Sequence, residues 1–169
     1  MDSLSLRGGL LCTTSGLLTA TGAVTTYDTT ASIVFMIDGK IETKTAITNG
    51  VTVTTDYNTG LAFSALVGGA SVANTPGHGT VMVWGLITGG TVKCVQGSVE
   101  SLDMLGNFIN APQFPALPAG FCPFAYQVLK AGATASATAI VFGTANWNAS
   151  GFTNAIVNVG LLPSRPQVA

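Results

Sequence analysis

Seven carboxylates, one histidine and three cysteines are the side chains of this 169-residue chain suited to proton transfer, metal binding or covalent catalysis. General acid–base work needs two titratable groups brought to one cleft. The acids are Asp2, Asp28, Asp38, Glu42, Asp56, Glu100 and Asp103. Asp38 suits a turn, Glu42 suits a solvated strand face, and Asp28 and Asp56 stand in Thr-rich, turn-like sequence. Glu100 and Asp103 remain as the pair for glycoside chemistry, although a surface or capping role is favoured for both. His78, in Asn74-Thr75-Pro76-Gly77-His78-Gly79, reads as an exposed loop histidine. As a base it would need a Ser or Cys nucleophile, and no GxSxG elbow or comparable motif is present.

Cys12, Cys94 and Cys122 are odd in number and far apart, with no CxxC pair and no nearby His to complete a zinc set. Buried free thiols are expected, in keeping with an intracellular folding environment. Gly68-Gly69 and Gly89-Gly90 lack the phosphate-cradling patterns and read as turn glycines. Trp147, with Phe152 and Tyr126, offers an aromatic platform for a sugar ring, with packing the favoured reading. No catalytic, cofactor-binding or metal-binding residue is assigned, and no cofactor is expected.

Strands must position whatever site exists. Apolar residues alternate with Thr, Ser, Ala and Gly, and β-branched Thr and Val favour a pleated surface. Runs with this character are Leu10–Thr14, Leu17–Val24, Ser32–Ile37, Lys40–Ile47, Val51–Thr55, Leu61–Val67, Thr80–Ile87, Val92–Val99, Phe121–Leu129, Thr138–Phe142 and Ala155–Leu161. Asp38-Gly39 between two of them predicts a type I′ hairpin, with Lys40, Glu42 and Lys44 on one face, Ile41 and Thr43 on the other, and one face solvated. Thr88-Gly89-Gly90-Thr91 predicts a second hairpin with both faces buried. Ser98–Phe108 spaces Val99, Leu102 and Leu105 three apart behind Ser98, enough for two helical turns, but irregular structure is favoured. Pro112, Pro115, Pro118 and Pro123 are excluded from a central ladder because each lacks a donor. They read as a connection or an edge.

Short strands with Gly and Pro punctuation predict an all-β fold, a sandwich or barrel rather than an α/β arrangement, with extended terminal arms. The expected division is an N-terminal arm at 1–9, a sandwich domain at 10–162 and a C-terminal tail at 163–169. Roughly 70% of the unfolded surface can be buried at this length, enough for a core without disulfides. The arm alternates Ser3, Leu4, Ser5 and Leu6, a pattern able to add a strand to a neighbouring sheet edge; a frayed terminus is the equal alternative.

Charged residues are only 8% of the chain, six basic against seven acidic, beside 47% hydrophobic residues. A nucleic-acid binder needs clustered cations, and a polybasic membrane-surface domain needs them too; neither partner is expected. The start of the chain lacks a signal-peptide pattern, and no apolar stretch is long enough to span a bilayer. Asn148-Ala149-Ser150 is a chance match to the glycosylation pattern. Soluble monomers rely on surface charge to stay apart. Self-association, most simply as a homotrimer, is therefore expected.

Three stretches carry a resemblance. They are Pro115-Ala116-Leu117-Pro118-Ala119-Gly120-Phe121-Cys122-Pro123-Phe124-Ala125, Phe142-Gly143-Thr144-Ala145-Asn146-Trp147-Asn148-Ala149-Ser150-Gly151, and Leu161-Leu162-Pro163-Ser164-Arg165-Pro166. With the Ile37-Asp38-Gly39-Lys40-Ile41 hairpin and Lys44, the chain resembles small structural proteins of tailed bacteriophages, the capsid decoration (cement) and head-fibre proteins. Val51–Leu105 carries no matching motif. The resemblance implies a single β-sandwich, jelly-roll-like, a virion location on the capsid surface after synthesis in the host cytoplasm, trimers, the major capsid protein as partner, and stabilisation of the head without catalysis. A receptor- or carbohydrate-binding fibre module is the alternative, using Trp147 with Asn146 and Asn148. Candidate capsid or oligomer interface residues are Leu4, Leu6, Trp147, Phe152 and Arg165.

Overall fold

The computed structural model describes residues 10–14, 18–20, 25–68, 77–132, 140–144 and 152–167. Among them the chain is all-β and contains no helix. The strands are β1 (Leu10–Thr14), β2 (Leu18–Ala20), β3 (Thr26–Thr29), β4 (Ile33–Ile37), β5 (Lys40–Lys44), β6 (Gly50–Val51), β7 (His78–Ile87), β8 (Thr91–Gln96), β9 (Glu100–Ser101), β10 (Cys122–Ala131) and β11 (Phe152–Asn158). Three sheets result. One runs β11-β10-β7-β8 with β9 also on β7, one runs β1-β4-β5 and one runs β2-β3-β6; all pairings are antiparallel.

The long strands β7 and β10 lie side by side and are buried on both faces. Their near-continuous apolar sequence follows from that double burial. Along β7, Met82, Trp84 and Leu86 enter one core cluster and Val81 and Val83 enter the other, as the period of two requires. The first cluster is completed by Ile33, Phe35 and Ile37 of β4, Cys12 of β1, Leu18 of β2 and Tyr27 of β3. Its aromatic spine runs Tyr27–Trp84–Phe142–Phe63, with ring centroids 4.8, 5.6 and 5.4 Å apart. The opposite face of the central sheet is covered by irregular chain, through Tyr57, Phe108, Phe114, Leu117, Val159 and Leu162. Phe114 meets Tyr126 edge-on at 5.0 Å.

A buried amide chain crosses the first cluster. The Trp84 indole N–H donates to Gln127 Oε1 at 3.0 Å, and Gln127 Nε2 donates to Asn154 Oδ1. Gln127 is fully buried, so these bonds satisfy an amide that would otherwise be desolvated without a partner.

Both expected hairpins form. Asp38 and Gly39 take positive φ angles of 51° and 76°, as a type I′ turn demands. The solvated face of β5 is the one bearing Ile41 and Thr43. Glu42, opposite Phe35, turns inward, where its Oε2 accepts the Gly89 N–H at 2.8 Å. A sheet edge allows this, because a long acidic side chain reaches the β7–β8 turn there without entering the core. Both faces of β7 are covered in the second hairpin.

Pro123 departs from expectation, since it lies inside β10, a central strand. The register shifts between Pro123 and Ala125, and pairing with β11 begins only at Ala125. The missing donor therefore falls at a bulge, where no ladder bond requires it. The bulge also lets Phe124 and Ala125 join the same core cluster. Pro112, Pro115 and Pro118 lie in the irregular connection, as expected. Ser98–Phe108 is likewise non-helical, with β9 and a tight turn in place of helical turns. Leu61–Val67 makes only isolated bridges, Thr55 to Ala62 and Leu66 to Ile140.

Candidate functional site

The acidic pair singled out for glycoside chemistry is held in local structure. Asp103 closes its own turn: Oδ1 accepts the N–H groups of Leu105 and Asn107, both at 2.8 Å, and Oδ2 accepts Asn107 Nδ2 at 3.2 Å. The Asn107 backbone bond leads a set that holds the Asp103 carboxyl below its usual range, so it stays an anion rather than a proton donor. Glu100 accepts the Ser98 hydroxyl at 2.6 Å. Asp56, buried at 6% exposure, accepts three backbone N–H groups.

His78 is not the exposed loop histidine expected from its Gly/Pro surroundings. It opens β7 opposite Ser101, is half-buried, and its Nδ1 is buried without a hydrogen-bond partner. The three cysteines are buried and form no disulfide. Burial, then the adjacent Cys12, pushes the Cys122 thiol up to about 12. Burial, then Asp56, pushes Cys94 well up. Protonated thiols are poor nucleophiles and poor metal ligands. Burial, then Cys94, raises the Tyr27 hydroxyl to about 12.

These shifts set an alkaline limit. The ordinary values are 9.0 for the thiols and 10.0 for tyrosine. Above them the unfolded chain releases protons that the folded chain retains, so stability falls as pH rises toward about 12. The urea midpoint is expected to decline from about pH 9 upward; a midpoint unchanged at pH 11 would contradict this assignment.

The aromatic platform does not assemble as imagined. Tyr126 is fully buried in one cluster, whereas Phe152, opposite Ala131, packs against the other, so the sheet separates them. Trp147, Asn146, Asn148, Leu4 and Leu6 lie outside the described residues. Of the candidate interface residues, Phe152 is half-buried and Arg165 is exposed. The tail around Arg165 lies against the body: Pro166 is buried and the Gln167 N–H donates to the Tyr126 hydroxyl at 3.0 Å.

Phe152 lines a small, partly enclosed depression of about 10 Å³, room for no more than a single water, with Leu66, Leu129, Ile140 and Phe142. Its polar rim is already engaged. Gln96 exchanges hydrogen bonds with the Ser64 backbone, and the Thr80 hydroxyl faces the Gly97 and Ser98 carbonyls. Such a depression offers dispersion contacts but no convergent polar groups to orient a substrate. Among the described residues, no group of three or more His, Cys, Asp or Glu is placed to hold a metal ion, and no helix is long and apolar enough to cross a membrane.

The described surface also exposes several large apolar side chains. Ile41, Val51, Leu61, Met104, Leu105, Ile109 and Leu161 are exposed, Leu105 at 87%. Met104 and Leu105 sit on the turn that Asp103 closes, so their backbone is held in place before any contact is made. The Asx-turn signature of Asp103 and Asn107 was readable in the sequence; the exposure of Ile41 was not, because an alternating pattern does not say which face meets solvent.

No known family, curated protein or solved structure matches the chain.

Proposed function

We propose that this chain is a non-enzymatic structural protein of a tailed-bacteriophage virion, a decoration or cement protein that binds the major capsid protein and stabilises the head. The carrying observation is the contrast between its polar and apolar groups. Asp56, Asp103 and Glu100 hold backbone or hydroxyl donors of the chain itself, while large aliphatic side chains stand in solvent on a chain with 8% charged residues. A surface of that kind is suited to association rather than to turnover. Within this proposal the architecture is a jelly-roll-like sandwich, the self-association is trimeric, and the site of action is the capsid surface. Neither nucleic acid nor membrane takes part.

The test is to mix the purified protein with undecorated, expanded heads assembled from the major capsid protein of the same genome. Saturable binding and a raised head melting temperature are expected. Heads that bind nothing and melt unchanged defeat the proposal.

A further inference from the structure

Among the described residues, the outer edge of β5 is an open backbone ladder. Ile37 and Lys40 flank a two-residue turn and form a hydrogen-bonded pair, so Ile41 and Thr43 belong to the alternate pairs and direct their N–H and C=O groups away from β4. β5 pairs with no other described strand. On its outer face an apolar row crosses the sheet, Leu11 opposite Met36 and Met36 opposite Ile41, and it ends at the edge with Ile41 70% exposed. One more strand with an apolar residue at every second position would extend that row and satisfy the edge. Ser3-Leu4-Ser5-Leu6 has that alternation and lies just before β1.

We propose that the Leu4/Leu6 arm of one copy adds a strand to the β5 edge of a second copy of this chain. For Leu6 the arm's own edge lies at the limit of reach. A strand beyond β5 would lie three strand spacings, about 14 Å, from β1. The four residue steps from Leu6 to Leu10 span at most about 14 Å fully extended, and the direct path is occupied by β4, β5 and their turn. Leu10 is opposite Ile37, so β4 also offers no rung to the residues before it. This inference rests on the self-association part of the preceding proposal and specifies how the copies are joined.

Full-length chains carrying Leu4→Cys or Leu6→Cys are mixed with chains carrying Ile41→Cys or Thr43→Cys under mild oxidation; the native cysteines are buried. A disulfide-linked product of two 17.1 kDa chains, one from each population, is expected. In light scattering, Leu4→Ser with Leu6→Ser should reduce the mass to that of one chain. Thr43→Pro, which removes an edge donor, should do the same. The arm variant changes no residue of the described fold, so its result stands even if Thr43→Pro misfolds. An oligomer that survives the arm variant, with no cross-link between populations, overturns the arm and leaves self-association standing. A wild-type monomer at every concentration overturns both, and a cross-link that forms within chains carrying Leu4→Cys and Ile41→Cys together while none forms between the two populations overturns addition to a second copy.

Discussion

Replacing Asp56 with alanine should lower the unfolding free energy by about 3 kcal/mol or more, because hydrogen bonds to a charged acceptor contribute roughly 1.5–3 kcal/mol each and buried donors left unpaired carry a further cost. Its Oδ1 accepts the N–H groups of Asn58 at 2.7 Å and Thr59 at 3.0 Å, and its Oδ2 accepts that of Gln96 at 2.6 Å. The carboxylate takes the place of a neighbouring strand. Tyr57 N–H donates to the Cys94 carbonyl, Asp56 accepts Gln96 N–H, and the Gln96 side chain exchanges bonds with Ser64, so the 56–64 segment closes the outer edge of β8. An edge left bare would template association. Asp56→Asn, which keeps the shape but loses the charge and one acceptor oxygen, should fall between the wild type and the alanine variant. Urea unfolding supplies the energies, and exchange of the Gln96, Asn58 and Thr59 amides locates the loss. A change within about 0.5 kcal/mol, the range of ordinary surface substitutions, would refute this role.

Gly85→Val is expected to prevent folding. Gly85 lies in β7, and a Cβ there would run into the Phe121 ring and come within 2.9 Å of the Cys122 carbonyl oxygen. The ring lies against the glycine where a side chain would otherwise stand. Overpacking a closed core costs about 1–3 kcal/mol when side chains can adjust, but the Cys122 oxygen belongs to the β10 ladder and cannot retreat. Gly85→Ala should therefore cost about 3 kcal/mol, the upper end of that range, with part of the loss recovered by Phe121→Leu. The two substitutions should be strongly non-additive, and that coupling separates a steric clash from the intrinsic strand preference of glycine. Additive effects in the double-mutant cycle would show that the ring contact is not the cause.

The two positions differ in how far the sequence exposes them. Asp56 is followed by Asn58, Thr59 and Gly60, a turn signature, so its first two bonds are readable in four residues. Its bond to Gln96 spans forty positions and leaves no local trace. Gly85 alternates in phase with its neighbours and gives no sign of the Phe121 ring that covers it. The candidate site divides in the same way. Buried thiols outside any disulfide follow from cysteine number and spacing, and the structure agrees. The partition of Tyr126 and Phe152 to opposite faces depends on the register between β10 and β11.

By itself the sequence determined the all-β character, the limits of β1, and the Asp38-Gly39 and Gly89-Gly90 turns, because β-branching, period-two alternation and tolerance of positive φ act within a few residues. Tertiary structure alone decided that Pro123 sits in a central strand, that Ile41 faces solvent while Glu42 turns inward, that His78 is half-buried, and that irregular chain covers one face of the central sheet. Each of those outcomes depends on which distant segment arrives alongside. A pairing partner dozens of residues away can place a bulge or choose a face, and the local residues are compatible with either choice.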